Sequence, residues 1–335
     1  MKRILVVFLV VLGICSVAFA NGTNESSSSA SEKSGYPTGP ITILIPSKPG
    51  GDSDSSGRLI AKDLQSFIGA TCVPVNVDAG GGVIAMKQIM DASADGQTLM
   101  NNFSYANDVV GDKYVASGYV WEDLIPIAIF AKNDTQILCV AANAPYNNAK
   151  ELADYIVKNP GKVSFSVSLS KPSHFHCVAF EQACGGKFKR VEIGTGSDKT
   201  VSLLSGECNV LSSTYGIMKD YIKNGKVKVI GTLSPERSAL CPDIPTIDEQ
   251  GIPFSKGVGF AANYIVWAKK GTSKAVQDKL VSSIKAMTES EQFKTDCANL
   301  GFEPYFVAGA DVIAHENAYK AFLENFKDIV AHDTL

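Results

Sequence analysis

The chain has 335 residues, of which 45% are hydrophobic and 19% charged, a composition typical of globular proteins. Its formal net charge of −3 excludes a global basic field of the kind that attracts nucleic acid or anionic lipid. The chain is too long for one ordinary hydrophobic core, so we expect two lobes.

The N-terminus has the pattern of an export signal. A basic start, Met1-Lys2-Arg3, precedes a short apolar segment, and Ala18-Phe19-Ala20 is typical of a cleavage site. We predict a signal peptide over residues 1–20 and a periplasmic or otherwise extracytoplasmic protein. A competing hypothesis is lipid attachment at Cys15, because Leu12-Gly13-Ile14-Cys15 loosely resembles a bacterial lipobox. The bulky Ile14 argues against that hypothesis, and the serine-rich segment that follows argues for it.

Residues 21–35 contain no large apolar side chain, which predicts a disordered serine-rich tether before a folded body that begins near Tyr36. No second apolar segment approaches membrane-spanning length. Beyond Cys15, the cysteines are odd in number and widely scattered, which argues against a disulfide framework. Cys177 and Cys184 lie on one predicted helix, about 10 Å apart and too far for a disulfide.

Residues 41–58 predict a strand, a glycine-rich turn and the start of a helix. Residues 41–45 form a short β-branched run between two prolines, typical of a buried parallel strand. Gly50 and Gly51 then precede Asp52, Ser53 and Asp54, which suit a helix N-terminus. Such a turn leaves backbone N–H groups free at the positive end of a helix dipole. The segment therefore predicts a site for a small anion.

Strands and helices alternate along the rest of the chain. Further strands are predicted over residues 72–77, 97–103, 124–131, 136–142, 162–168, 188–193, 208–213, 227–233 and 264–269. Helices are predicted over residues 83–92, 149–158, 174–184, 199–204, 218–223, 273–287, 289–300 and 310–331. This order predicts an α/β fold of doubly wound sheets with ligand sites beyond the carboxyl ends of the strands. The strand at 136–142 is long enough to cross between lobes.

Four strand-to-helix turns carry the predicted binding chemistry, two from each half of the body. They fall at residues 46–54, 78–82, 168–174 and 194–198. A cleft between two lobes would let backbone N–H groups from both halves hold one ligand. Each charge-assisted hydrogen bond to a carboxylate contributes roughly 1.5–3 kcal/mol, so a handful reach the roughly −8 kcal/mol of micromolar binding. We therefore expect a small carboxylate.

Six motifs keep the order in which they occur in one receptor family. They are the opening string over residues 36–58, Asp95-Gly96-Gln97-Thr98-Leu99, Ser173-His174, Leu203-Leu204-Ser205-Gly206, the R-S…P-D-I-P-T string over residues 236–246, and Ala268-Lys269-Lys270-Gly271-Thr272. With these motifs the chain resembles the tripartite tricarboxylate transporter receptors, also called Bug-type solute receptors, from Tyr36 to about Val330.

The resemblance implies a type II-like periplasmic binding protein of two lobes. Lobe 1 would comprise residues 36–140 plus 250–335, and lobe 2 residues 141–249. Its implied function is to capture a dicarboxylate, a tricarboxylate or an acidic amino acid and deliver it to integral membrane transporter subunits. The implied ligand-binding residues are Ser47, Lys48, Gly50, Gly51, Ser53, Asp54, Ser168, Ser170, Ser173, His174, Gly194 and Thr195. No cofactor, metal or nucleic acid is expected, and the protein is expected to be a monomer.

The sequence departs from the family pattern where it matters for the ligand. The family usually has small apolar residues where this chain has Ser47-Lys48, rarely an acid at the position of Asp52, and P-G-A-G-G where residues 78–82 read D-A-G-G-G. Lys48 would suit a ligand carboxylate and Asp52 a ligand ammonium group. The identity of the ligand is therefore less determined than its class.

Several residues have a structural interpretation beside the functional one. Asp54 suits a helix cap as well as a ligand contact, and Arg58 suits an ion pair. His174 and His176 would face apart on a helix, which disfavours zinc. The C-terminal rings, Tyr319, Phe322 and Phe326, recur at helical spacing, which is typical of a core.

Other functional classes are less favoured. The chain lacks the Gly-x-Ser-x-Gly and Walker lysine motifs of two large enzyme groups, so we expect no catalytic residues and no enzyme. A binding protein for an ABC importer or a sensor kinase is the closest alternative, and the sequence leaves it open. A surface adhesin is disfavoured because no all-β pattern is present.

Overall fold

The computed structural model describes residues 35–103, 123–169, 171–194, 196–256, 258–260 and 262–332. The predicted signal peptide, Cys15, nearly all of the predicted tether, Ser170 and Thr195 lie outside these residues. Within them, no helix has both the length and the apolar composition that a membrane crossing needs.

The strands and helices of the described residues alternate for most of the chain. The strands are β1 (Ile41–Ile45), β2 (Cys72–Asn76), β3 (Thr98–Asn102), β4 (Leu124–Asn133), β5 (Gln136–Ala141), β6 (Ser164–Val167), β7 (Lys189–Glu192), β8 (Val210–Thr214), β9 (Val227–Thr232), β10 (Ala262–Lys269) and β11 (Glu303–Ala308). The helices are α1 (Asp52–Ile68), α2 (Val83–Asp91), α3 (Ala149–Lys158), α4 (Pro172–Cys184), α5 (Gly196–Ser205), α6 (Tyr215–Lys223), α7 (Lys274–Glu289), α8 (Glu291–Leu300), α9 (Ala310–Glu324) and α10 (Lys327–His332).

Two sheets form the two lobes. The first has the strand order β11-β4-β10-β3-β1-β2, and the second β7-β6-β8-β5-β9. Strand β1 lies between β2 and β3 and is parallel to both, and its Ile41, Ile43 and Ile45 are fully buried. The prediction of a buried parallel strand is therefore confirmed. In the second sheet, β6 runs parallel to β7 and β8.

The chain crosses between the sheets twice. Strand β4 ends at Asn133 in the first sheet and β5 begins at Gln136 in the second, so only a two-residue link joins them. The chain returns between β9 and β10. The change of sheet thus comes before residue 140, where the lobe boundary was expected, because Leu138 and Val140 already belong to the second core.

The C-terminal part differs from its predicted form in two ways. Strand β11 was not predicted, and it lies at the edge of the first sheet, where a strand can accommodate Pro304. The predicted single helix over residues 310–331 is broken between Glu324 and Lys327. Asn325 contributes to the break, since its side-chain amide donates to the carbonyl of Phe322 at 2.7 Å.

Helix α9 begins against the first sheet, where Val312 is buried in its core, and its later turns and α10 pack on the core of the second sheet. The expectation had placed all of residues 250–335 in the first lobe. Tyr319, Phe322 and Phe326 are buried, as their spacing predicted. They join the core that holds β5 and β6 together with Phe254 and Phe260. The ring centroids of Phe260 and Phe322 lie 5.0 Å apart, so the aromatic face of α9 packs against Phe260 in that core. Strands β10 and β11 stay in the first sheet.

Candidate functional site

A cavity of about 390 Å³ lies at the carboxyl ends of parallel strands from both sheets. The turns after β1, β2 and β3 line it from the first sheet, and those after β6 and β7 line it from the second. Ligand sites of doubly wound sheets lie beyond the carboxyl ends of their strands. The structure therefore brings the four glycine-rich or serine-rich turns of the sequence into one cleft.

Four helices begin at this cavity. Residues at or just before the first turns of α1, α2, α4 and α5 line it, namely Gly51, Asp52, Ser53, Gly81, Lys171, Pro172, Gly196 and Lys199. The first N–H groups of a helix have no acceptor within the helix, and its dipole is positive at that end. Such ends favour anions, and here they come from both lobes.

A network around Asp54 shapes the first turn. One carboxylate oxygen of Asp54 accepts the backbone N–H of Gly50 at 3.1 Å. The other accepts from Arg58 Nε and Asn76 Nδ2, both at 2.9 Å. Asn76 Nδ2 also lies 3.0 Å from the carbonyl oxygen of Ser47. Asp54 therefore ties the turn to α1 and β2, and the predicted ion pair with Arg58 is confirmed.

The second turn depends on three successive glycines. Gly80, Gly81 and Gly82 have φ angles of 61°, 65° and 103°, in the left-handed region that side chains rarely adopt. This backbone brings Gly81 and the neighbouring Asp78 to the cavity wall.

In the second lobe, Ser173 connects two turns. Its hydroxyl oxygen accepts the backbone N–H of Ser168 at 2.9 Å and Lys199 Nζ at 2.6 Å. The Ser168 hydroxyl oxygen lies 2.7 Å from the carbonyl oxygen of Gly194. These bonds fix the turn after β6 against the turn after β7 and hold Lys199 at the cavity.

Lys199 is a buried cation. Its side chain lines the cavity but the residue is only 7% exposed. Burial lowers the pKa of Lys199 to about 8, although the nearby Asp198 acts in the opposite direction. Within the described part of the chain its ammonium donates to the hydroxyl oxygen of Ser173, and the residue lines the cavity.

Asp52 lies where the two lobes meet. Its Oδ2 atom accepts from Asn133 Nδ2 and Gln136 Nε2, each at 3.2 Å, and from the hydroxyl of Thr214 at the end of β8. Its Oδ1 atom is buried without a hydrogen-bond partner in the described part of the chain. Burial raises the pKa of Asp52, and hydrogen bonds with the side chains of Thr214, Gln136, Asn133 and Tyr264 oppose that rise.

Most of the predicted site residues in the described ranges line the cavity. Those at its wall are Ser47, Lys48, Gly51, Ser53, Ser168 and Gly194. Four others stand behind the wall: Gly50 and Asp54 belong to the network of the first turn, Ser173 supports Lys199, and His174 is fully buried. Ser170 and Thr195 lie outside the described residues.

Sequence reasoning missed several lining residues. Asp52 is expected to suit a helix N-terminus or a ligand ammonium group but is not in the predicted set of ligand-binding residues. That set also lacks Lys171, Glu192, Lys199, Asn102 and Phe103, all of which line the cavity. Lys199 was missed because α5 was predicted to begin there. The helix begins at Gly196, so Lys199 falls in its first turn and beside the cleft. A lysine so close to a predicted glycine-rich turn was the available signal.

His176 and the cysteines show no sign of a metal site or a disulfide within the described residues. His176 is buried, its Nδ1 lies 2.9 Å from the hydroxyl oxygen of Ser212, and burial lowers its pKa to about 3. The described residues contain no cluster of side chains suited to a metal ion. None of the seven cysteines in the described residues, Cys177 and Cys184 among them, forms a disulfide.

Comparison with known proteins places this architecture in one family. A profile described as "Tripartite tricarboxylate transporter family receptor" matches residues 57–318. "Protein BugT" of Bordetella pertussis is 29% identical over 241 residues, which cover 71% of this chain and 72% of BugT.

Solved structures agree in fold. "R. palustris Rpa4515 with adipate" superposes with a TM-score of 0.79 at 23% identity, over 88% of this chain and 98% of that one. "Structure of periplasmic binding protein BugD" gives a TM-score of 0.71 at 27% identity, over 88% and 96%. The chain, with two lobes and a polar cleft between them, belongs to the tripartite tricarboxylate transporter receptor family of periplasmic solute-binding proteins.

Proposed function

We propose that this receptor binds a small carboxylate with at least two acidic groups and presents it to the membrane subunits of a tripartite tricarboxylate-type transporter. Residues of the first lobe, Ser47, Lys48, Gly51 and Ser53, would hold one carboxylate. Ser168, Gly194 and Lys199 of the second lobe would hold the distal one. The remaining members of the predicted set, among them Gly50, Asp54, Ser173 and His174, would act by supporting these turns.

One observation carries the proposal. A buried lysine and four helix N-termini, drawn from both lobes, meet in one cavity of about 390 Å³. A desolvated ammonium and the positive ends of four helices suit an anion with two acidic groups. The adipate complex supports this interpretation to the extent that a protein of the same fold was solved with a dicarboxylate.

The main alternative is that the receptor presents its ligand to a different membrane partner. An ABC importer or a sensor kinase would use the same kind of cleft, and nothing in the cleft distinguishes the partners. Membership in the receptor family favours the tripartite transporter. Catalysis is not part of the proposal, because the cleft residues are accounted for by anion binding. We also propose export by the signal peptide at residues 1–20, with Cys15 as the competing lipid anchor.

Native mass spectrometry of the freshly purified protein tests the binding function directly. We expect a retained small acid, or a mass shift on addition of dicarboxylates, tricarboxylates and acidic amino acids. Calorimetry against the same panel should give dissociation constants at or below the micromolar range. Absence of retained ligand together with absence of heat for every acid would overturn the proposal.

Partner and anchoring need separate measurements. Copurification of the receptor with membrane proteins from its own host should recover the membrane subunits of a tripartite transporter; recovery of ABC importer subunits or of a sensor kinase instead would support the alternative. Intact mass of the exported protein separates cleavage after Ala20 from a diacylglycerol-modified Cys15.

A further inference from the structure

We propose that the two carboxylates of the ligand are joined by a chain of unsubstituted methylene groups, and that Phe103 and Leu169 bind this chain from opposite lobes. The favoured ligand is then a plain dicarboxylate rather than a hydroxy acid or an acidic amino acid. This inference rests on the proposed function, since it concerns the same cleft.

Two large apolar side chains line the cavity together with its lysines and serines. Phe103 follows β3 of the first sheet, and Leu169 follows β6 of the second. Both residues are half-buried, and Pro46 and Pro172 also line the cavity. Ligand sites in proteins typically combine apolar walls, which hold the body of the ligand, with a few polar groups that fix its ends. The cleft therefore has the means to bind the middle of a dicarboxylate as well as its two ends.

Leu169 is the more informative of the two, because core packing does not account for its position. It belongs to none of the hydrophobic cores formed by the described residues. Phe103, in contrast, packs on a core of the first sheet, and its ring centroid lies 5.4 Å from that of Tyr264. An apolar side chain at the wall of a polar cleft stays in contact with water until a ligand covers it. Methylene groups cover it favourably, whereas a ligand hydroxyl there loses its water without gaining a hydrogen bond.

The acids of the described lining do not favour an ammonium group on the ligand. The carboxylate of Asp52 is enclosed between the lobes by its side-chain donors, which removes the ammonium partner expected from the sequence. Asp78 and Glu192 are exposed, so water already solvates their carboxylates. An amino group on the ligand would therefore be desolvated without a buried partner of opposite charge in this part of the lining.

A purely structural role for Leu169 makes a different prediction. If its side chain only shaped the turn after β6, its replacement would weaken all dicarboxylates alike. If it binds the methylene chain, a polar side chain at this position changes the preference between plain and substituted acids.

Calorimetry with three matched ligand series separates these cases. The series are succinate, malate and aspartate; glutarate, 2-hydroxyglutarate and glutamate; and adipate, 2-hydroxyadipate and 2-aminoadipate. Within the series whose length fits the cleft, we expect the plain dicarboxylate to bind at least about tenfold more tightly than either substituted acid. The heat capacity change of its binding should be negative, because apolar surface is buried.

Two variants at one position complete the experiment. Leu169→Asn keeps a side chain of similar size but makes it polar, so it should weaken binding of the plain dicarboxylate by about tenfold and reduce its preference over the substituted acids. Leu169→Met is the matched control, because it keeps the wall apolar, and the preference should persist. Circular dichroism checks that both variants fold. Should Leu169→Asn fail to fold, the wild-type series still decides the question.

The possible results are distinct. Three results would overturn this inference and leave the proposed function standing: equal affinities within every series, tighter binding of a hydroxy or amino acid, or a wild-type preference retained in folded Leu169→Asn. The inference would also be overturned if no plain dicarboxylate bound while native mass spectrometry showed another retained acid. Binding of no acid at all, added or retained, would overturn the proposed function as well.

Discussion

At the scale of single residues, the most informative side chain in the cleft is Lys199. Desolvation makes its charged form costly, and a ligand carboxylate would compensate it. Lys48 also lines the cavity but is exposed, so water already solvates its ammonium. The two lysines therefore form a natural comparison between a buried and an exposed charge.

The first prediction follows from that comparison. Lys199→Met, which keeps most of the side-chain volume, should weaken binding of the preferred acid by about 10–100-fold, because a charge-assisted hydrogen bond contributes roughly 1.5–3 kcal/mol. Lys48→Met should cost at most about fivefold, since exposed ion pairs contribute up to about 1 kcal/mol. Calorimetry measures both. The reverse order of effects would contradict the assignment of Lys199.

The second prediction concerns pH. Because burial lowers the pKa of Lys199 to about 8, the ammonium of the free protein is increasingly neutral above that pH. A bound carboxylate favours the charged form, so affinity should fall as pH rises through 8 and binding should take up protons there. Calorimetry at pH 8.5 in buffers of different ionisation enthalpy measures that uptake. Lys199→Met should show no proton uptake. If the affinity of the wild type did not change between pH 7 and 9.5, the prediction would be contradicted.

The lowered pKa of Lys199 also makes the stability of the folded protein depend on pH in a defined direction. The ordinary pKa of lysine is above 10, so the unfolded chain binds more protons at this side chain than the folded protein between about pH 8 and 10. The free energy of unfolding should therefore receive a contribution from Lys199 that rises with pH over that window.

At the scale of elements, the start of α1 holds the first binding turn in shape. Asp54 is 6% exposed and accepts a backbone N–H of the turn together with two side-chain donors. Arg58 is about half exposed and contributes one of those donors. The sequence left Asp54 open between helix cap and ligand contact, and its bonds to Gly50 and Asn76 give it a clear supporting role.

The third prediction separates these two residues. Asp54→Ala should lower the free energy of unfolding by about 1–3 kcal/mol, because it removes the acceptor of three partly buried hydrogen bonds, and should weaken ligand binding through the loosened turn. Arg58→Met should lower it by less than about 1 kcal/mol, since the guanidinium remains half exposed. Urea unfolding and calorimetry provide the two readouts. Equal losses in both variants would argue against the supporting role of Asp54.

Local patterns in the sequence were sufficient to predict elements with strong signals. The glycine-rich turns, the buried run at Ile41–Ile45 and the helix at Ala149–Lys158 follow from β-branched runs, helix caps and breakers that act within a few residues. Strand β11 was missed because its hydrogen bonds to β4 are long-range and Pro304 weakens the local strand signal. The break at Asn325 was missed because the apolar spacing continues through it.

The candidate site also has features that the sequence could predict and features that it could not. The turns themselves were predictable, since glycine and small polar residues mark them. Which side chains face the cavity depends on helix starts and on contacts between lobes. Lys199 required the correct start of α5, and the enclosed position of Asp52 required knowledge of Asn133, Gln136 and Thr214, which bind its carboxylate and are distant in sequence.

At the scale of the whole molecule, two crossings between the sheets, helix α9 and a set of contacts join the lobes. Behind the β4–β5 crossing, the Thr135 hydroxyl donates to the carbonyl of Gly301 at 3.1 Å, and the backbone N–H of Tyr215 donates to the carbonyl of Thr135 at 3.0 Å. Helix α6 of the second lobe thereby packs against the end of α8 in the first. If the lobes close around a ligand, they must either shift the contact between α6 and α8 or rotate about it.

The fourth prediction tests that contact. A Cβ atom at Gly216 would lie 2.3 Å from the carbonyl oxygen of Leu300, which is backbone and cannot turn aside. Gly216→Ala should therefore force α6 away from α8, lower the free energy of unfolding by about 1–3 kcal/mol and weaken ligand binding by changing the angle between the lobes. Small-angle scattering with and without ligand should show a smaller contraction on binding than in the wild type. Gly35→Ala is the control, because a Cβ there meets nothing within 4 Å and should alter neither quantity. Wild-type stability and contraction in Gly216→Ala would show that the lobes do not pivot about this contact.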